Sequence, residues 1–293
     1  MNLVKILKLK LFFISIIIPT FLLGEDCVKA NNTSRITVAG GSITEILYML
    51  DAEEKIVAVD LTSNFPPSAL ELPQIGYVRA LSAEGILSLE PSIILGEDDM
   101  GPPSVLNQIE RTGIDIVVIP EEHSSKGIFE KINCIAKILD VSSTADKLIK
   151  EKILPANKKL IKNAELVKGK NLKAIFILGL QSGSPILGGM DTSANGFIKM
   201  IGATNPMTSF EGWKPVGTEA IISSSPDIII ITNRGLNTFG DVESLISHPA
   251  LALTPAAQNN NIFALDGMAM LGFAPRSIFS ALELTDNILE IDD

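Results

Sequence analysis

Four residue types are scarce in this 293-residue chain: two cysteines, two histidines, two tyrosines and a single tryptophan. The two histidines, His123 and His248, belong to no ligand-spaced cluster, which argues against a bare Zn or Mn site, where several imidazoles or carboxylates converge. Two cysteines cannot build the disulfide scaffold of a small stapled domain, so stability has to come from a packed core. Positive charge is short as well, with 24 Lys and Arg against 34 Asp and Glu and a net charge of −10. That balance opposes nucleic acid or anionic lipid as partner. Enzyme signatures are missing too. Gly40-Gly41-Ser42-Ile43-Thr44 lacks the closing glycine of a nucleophile elbow, Gly179-Leu180-Gln181-Ser182-Gly183 misplaces its serine by one, and no phosphate-cradling Gly-rich Lys loop occurs. An enzyme reading rests only on glycine pairs that come after strands, where a tight turn serves equally well.

The single long apolar run is at the start. Lys5, Lys8 and Lys10 precede an almost wholly apolar stretch from Leu11 to Leu23, and Val28-Lys29-Ala30 has the small-x-small form of a cleavage site. Residues 1–30 are therefore expected to be a cleavable signal peptide that directs the chain to export. Cys27 comes after Glu25-Asp26 rather than small apolar residues, so a soluble exported protein is preferred to a lipoprotein. Cleavage after Ala30 leaves Cys134 as the only thiol, and no intramolecular disulfide is expected.

Beyond the leader, the chain contains one unit twice. Gly76-Tyr77-Val78-Arg79-Ala80-Leu81-Ser82-Ala83-Glu84 runs on to Pro91 and the apolar Ile93-Ile94-Leu95; Gly212-Trp213-Lys214-Pro215-Val216-Gly217-Thr218-Glu219 runs on to Pro226 and Ile228 to Ile231. Each copy has a glycine and an aromatic, a short helix opened by Ser or Thr near a Glu, then a proline before a strand. Two copies at this spacing indicate twin lobes rather than a solenoid. Strand and helix patterns alternate throughout, starting with Arg35 to Ala39, the Gly40-Gly41 turn and a helix whose opening Ser42-Ile43-Thr44-Glu45 fits a capping box. The expected fold is α/β, with two Rossmann-like lobes over residues 31–141 and 169–293. Lys-rich residues 142–168 contain no glycine and read as one long linker helix, kinked or split by Pro155. A ligand is expected in the cleft between the lobes.

Leader, twin lobes, helical connector and paired Glu segments together resemble periplasmic substrate-binding proteins of the helical-linker type, which deliver haem, siderophores or cobalamin to ABC importers. Gly40-Gly41-Ser42-Ile43-Thr44-Glu45, Gly76 to Gly85, Thr232-Asn233-Arg234-Gly235-Leu236 and Leu271-Gly272-Phe273-Ala274-Pro275-Arg276 are similar to the hemin-binding members. The resemblance implies a non-enzymatic, monomeric carrier that captures haem and hands it to a permease dimer at the inner membrane; a siderophore or cobalamin carrier of the same fold is the alternative, and an exported α/β enzyme a more distant one.

A phenolate oxygen is a hard donor suited to ferric iron. Of the two tyrosines, Tyr48 lies in the apolar Ile46-Leu47-Tyr48-Met49-Leu50 run and reads as a packing residue, leaving Tyr77 as axial ligand or, blandly, a loop packer. Arg79, two residues on, shares its side in an extended segment and puts a cation near the phenolate or a haem propionate. Trp213 occupies the matching place in the second copy, to cover a porphyrin face by stacking or to pack as a core aromatic. Arg234, after a strand's carboxyl end, reaches the tyrosinate in the resemblance and is otherwise a solvated arginine. Arg276 reads as structural. No histidine lies in Gly179 to Pro185, where some relatives supply one, so one haem on Tyr77 alone is expected. Glu84 and Glu219 meet permease arginines in relatives, or merely favour their helix dipoles.

Overall fold

The computed structural model describes residues 27–290; the apolar part of the leader lies outside them. The chain opens with β1 (Ile36–Ala39), α1 (Gly41–Met49), β2 (Ile56–Val59), the hairpin strands β3 (Gly76–Tyr77) and β4 (Ala80–Leu81), α2 (Ala83–Leu87), β5 (Ile93–Gly96), α3 (Pro103–Glu110), β6 (Asp115–Val118) and α4 (Ser125–Leu139). Its sheet is parallel throughout, in the order β2-β1-β5-β6. The connector is formed by α5 (Ser142–Leu148) and α6 (Leu154–Gly169). After it come β7 (Ala174–Gln181), β8 (Ser184–Gly188), α7 (Ser193–Met200), β9 (Trp213–Pro215), α8 (Thr218–Ser224), β10 (Ile228–Thr232), α9 (Asn233–Leu236), α10 (Val242–Ile246), α11 (Pro255–Gln258), β11 (Ile262–Leu265), α12 (Gly267–Leu271) and α13 (Pro275–Glu290). The second sheet has the order β11-β10-β7-β8-β9, with β8 and β9 antiparallel.

Alternation along the strands assigns each face. In β10, Ile228 and Ile230 enter the main core while Ile229 and Ile231 enter a satellite core; β7 splits Ala174 and Phe176 from Ile175 and Ile177 in the same way. β5 sends Ile93 and Leu95 to the main core and Ile94 to a third cluster. These are runs of apolar residues buried on both faces, as a sheet covered by helices requires. The inner faces of both sheets belong to one continuous cluster that also contains Ile132 and Ile135 of α4, Phe197 of α7, Phe273 just before α13 and Ile278 within it. Each such buried side chain contributes about 1.5–3 kcal/mol, and here that contribution ties one lobe to the other.

The connector is helical from end to end, though not one regular helix. α5 passes through a π-helical turn, Ile149–Ile153, into α6, and Pro155 sits in the first turn of α6. Proline has no N–H to donate to the i−4 carbonyl of a regular helix, and the wider turn just before it absorbs the mismatch. α6 lies along α13, held by Lys159 Nζ to Asp286 at 2.7 Å and Asn163 Nδ2 to Asp286 at 2.7 Å.

Two expectations are corrected here. Cys27 is bonded to Cys134 in a disulfide, so the thiol of Cys134 is not solitary. And α1 begins at Gly41 with Gly40 before it, without a side-chain cap. The Ser42/Glu45 pair forms no capping box: Ser42 donates its hydroxyl to Glu97 at 2.7 Å, and Glu45 accepts from Arg276.

Candidate functional site

Between the lobes lies a cleft of about 500 Å³ lined by both. One wall is built by the β3–β4 hairpin. Val78 and Leu81 are buried beneath it, 3% and 5% exposed, so the alternation of an extended segment turns Tyr77 and Arg79 outward. Backbone bonds hold it to its surroundings: Leu61 N–H to Gly76 C=O at 2.9 Å, Gly101 N–H to Val78 C=O at 2.9 Å, and Leu81 N–H to Gly101 C=O at 2.8 Å. Gly76 supplies the positive φ of 94° that starts the hairpin. Tyr77 is 41% exposed and Arg79 Nη1 donates a 3.0 Å hydrogen bond to its hydroxyl. Arg79 is held in turn by Asp99, through Nε at 2.8 Å and a second bond from Nη2.

Across the cleft stands Trp213, on β9. It is half-buried, edge-on to Phe176 with ring centroids 5.9 Å apart, and its ring closes over Gly188, where an added Cβ would come within 3.2 Å of it. Met268 and Leu271 of α12 add apolar surface. Behind the walls the Gly40-Gly41 turn is packed too tightly to take an anion: the Gly40 and Gly41 N–H groups donate to Asp60 and Thr62, at 3.0 and 2.9 Å, and a Cβ at Gly41 would lie 2.5 Å from the Thr62 carbonyl.

The cleft is rich in carboxylates: Glu97, Asp98, Asp99, Glu121 and Asp191 all line it. Burial pushes Glu97 up to about 7, against the pull of Lys131 and the Ser42 hydroxyl, with Glu121 and Asp60 adding to the rise. Burial likewise raises Glu121, whose partner is Lys131 at 2.5 Å. Lys131 is itself 1% exposed and reaches across the lobes, donating to Ser42 Oγ at 3.1 Å and to the Gly272 carbonyl at 3.2 Å. A second tie between lobes is made by Arg276, whose backbone N–H and Nε donate to Glu45 at 2.8 and 2.6 Å while its guanidinium lies 3.9 Å from the centre of the Phe65 ring.

The structure thus brings Tyr77, Arg79 and Trp213 to one cavity. Arg234 is exposed on α9 and is not among the residues lining it; no hydrogen bond to its side chain occurs among the described residues, and the contact with the Tyr77 hydroxyl is made by Arg79. Glu84 and Glu219 are exposed in the first turns of α2 and α8. His123 is a lining residue that its sequence context concealed. Its ring leans on Phe273, centroids 5.0 Å apart, and the packing around it together with Lys131 lowers its pKa, leaving a neutral imidazole at pH 7. The loop Glu121-Glu122-His123 carries no motif that could have announced this. No cluster of three or more potential metal ligands exists among the described residues.

Residues 36–269 match the family described as periplasmic binding protein. Among solved structures, the periplasmic haem-binding protein HutB of Vibrio cholerae is 34% identical with a TM-score of 0.74, covering 88% of this chain and 99% of its own. The periplasmic haem-binding protein BhuT, in complex with two haems, is 29% identical with a TM-score of 0.79, covering 88% and 98%. The uncharacterised ABC transporter substrate-binding lipoprotein YvrC of Bacillus subtilis (strain 168) is 23% identical over 266 residues, 90% of this chain and 82% of that one. A shorter stretch of 82 residues, 28% of this chain and 30% of the other, is 34% identical to the vitamin B12-binding protein of Vibrio cholerae serotype O1.

Proposed function

The chain belongs to the periplasmic binding protein family, and from that premise we propose that it is the monomeric substrate-binding component of an ABC importer, carrying ferric haem across the periplasm without transforming it. One observation carries the reading: the Tyr77 hydroxyl opens into the interlobe cleft with Arg79 donating to it at 3.0 Å. Iron displaces the phenol proton on binding, and a guanidinium already in contact stabilises the charge left on oxygen. Trp213 covers the far face of the ring with a flat apolar surface. The carboxylate-rich wall repels anionic groups, which favours a pose with the propionates at the solvent edge. There Arg234 serves as a rim cation: α9 abuts Leu178, a wall residue, through Gly235, whose added Cβ would lie 2.5 Å from the Leu178 carbonyl. Residues 31–141 and 169–293 act as the two lobes and 142–168 as their connector.

The test is a hemin titration monitored by absorption spectroscopy. Wild type is expected to give the bands of high-spin ferric tyrosinate; Tyr77→Ala loses them and weakens binding more than the roughly 10–100-fold typical of a group that only supports a metal ligand. Unchanged bands in Tyr77→Ala would refute the ligand assignment. A cobalamin carrier is the second reading, favoured by the local match to the vitamin B12-binding protein. Competition decides between them: excess cyanocobalamin is expected to leave hemin bound, and stoichiometric displacement would favour the second reading.

A further inference from the structure

Residues 27–30 are part of the fold. Cys27 and Cys134, 107 residues apart in sequence, are joined with their Cα atoms 5.1 Å apart, and Cys134 lies on the buried face of α4 at 5% exposure. Three further contacts secure the same segment. Ala30 N–H donates to the Ile138 carbonyl at 3.1 Å, Lys29 Nζ meets Asp140 Oδ2 at 2.6 Å, and Cys27 and Ala30 both pack against the main core. A peptidase cutting after Ala30 would discard every one of these contacts and expose the sulfur of Cys134.

A lipid anchor on Cys27 is equally incompatible, since a thioether to diacylglycerol would use the sulfur that the disulfide uses. The residues ahead of it, Gly24-Glu25-Asp26, place two acids where a lipid-modified cysteine has small apolar neighbours. Upstream, Gly24 is the first small residue after the run that ends at Leu23 and supplies the small residue directly before the scissile bond, with Leu22 at the other position of the small-x-small form.

We propose that the leader is removed upstream of Cys27, at the Gly24–Glu25 bond, and that the exported chain keeps Cys27, with residues 27–30 stapled to α4 by Cys27–Cys134. Hydrolysis adds water across that peptide bond, leaving the Gly24 carboxylate on the leader and the Glu25 amine on the mature chain. The two thiols then lose two protons and two electrons to a protein disulfide oxidant by thiol–disulfide exchange, which leaves that oxidant as a dithiol. Such chemistry is sustained outside the cytoplasm. Neither cysteine lines the cleft, so the staple is a device of processing and stability, and the carrier is released as a free, unanchored protein.

The experiment uses the full precursor, exported by a bacterium with an oxidising periplasm and recovered from that fraction. Intact mass is measured before and after reduction, each with iodoacetamide. Expected is a chain starting at Glu25, two hydrogens lighter than its dithiol form, that takes no label unreduced and two labels once reduced. A start elsewhere at or before Cys27 with the bond intact overturns the Gly24–Glu25 cut while keeping the staple. A chain starting after Cys27, an acylated Cys27, or two labels without reduction overturns it. As a second readout, Cys27→Ser, Cys134→Ser and the double variant are expected to share one lowered melting temperature, and a Cys27→Ser protein melting like wild type counts against the proposal.

Discussion

Arg79 and Arg234 carry the same charge and differ in what they touch. Arg79 is fixed by Asp99 and donates to the Tyr77 hydroxyl, whereas Arg234 stands exposed on α9. Arg79→Ala is therefore expected to weaken hemin roughly 10–100-fold and shift the iron spectrum, as loss of a group supporting a metal ligand does. On the proposed rim role, Arg234→Ala removes a solvent-screened ion pair worth up to about 1 kcal/mol and is expected to weaken it no more than roughly fivefold with the spectrum unchanged. Parallel titrations of the two variants check this; a spectral change in Arg234→Ala would move the supporting role to that residue. Glu97 gives a pH signature. Its carboxyl is raised from 4.5 to about 7 by burial, so below 4.5 it is protonated whether the chain is folded or not, and it costs nothing. As pH rises the unfolded chain ionises first, folding holds on to the proton, and stability falls until about pH 7. Glu97→Gln is expected to gain on wild type by on the order of 2 kcal/mol between pH 5 and pH 8, read from urea unfolding at each pH; a constant difference would show that the carboxyl ionises as readily in the folded state.

At the level of elements, Glu45 shows how a sequence pattern can be true and its interpretation incomplete. Ser-x-x-Glu after a strand does mark the start of α1, but the carboxylate is spent on Arg276 of α13, 231 residues away, and no local pattern encodes a partner so distant. Magnitude separates the two roles. A lost capping interaction costs about 1 kcal/mol, whereas removing one partner of a buried pair costs about 3–5 kcal/mol; Arg276, partly exposed and still bonded to Asp266, lowers that to about 2–3. Glu45→Ala is expected to lose this larger amount in urea unfolding, and a loss near 1 kcal/mol would return Glu45 to a helix-end role. The cysteine staple belongs to the same scale: breaking it as Cys134→Ser is expected to cost about 2–4 kcal/mol, since it closes a long loop of the unfolded chain. The strands and most helices were legible because apolar runs, glycine turns and prolines are local signals. Tyr77 was legible for the same reason, as an aromatic after a hairpin glycine. His123, Lys131 and the Glu97 wall were not, because their meaning comes from which loops the second lobe packs against.

For the whole molecule, the continuous core beneath both sheets fixes the distance between features on opposite lobes. Glu84 and Glu219 are the pair for which this matters. Both are exposed, and neither side chain makes a hydrogen bond or ion pair among the described residues. Capping does not occupy them: the Ser82 hydroxyl accepts from Gly85 N–H at the start of α2, and Gly217 precedes α8 without a side-chain cap. One carboxylate stands on each lobe, and docking to paired arginines of a two-fold permease is what the resemblance implies for them. Charge reversal turns each attraction into like-charge repulsion, which slows association and costs affinity while leaving the cleft untouched. Glu84→Lys and Glu219→Lys are each expected to reduce hemin uptake by cells dependent on this importer, with the double variant losing most of it, while hemin affinity and melting temperature stay at wild-type values. Uptake at the wild-type rate in the double variant would take both residues out of the docking surface and leave them as acids favouring their helix dipoles.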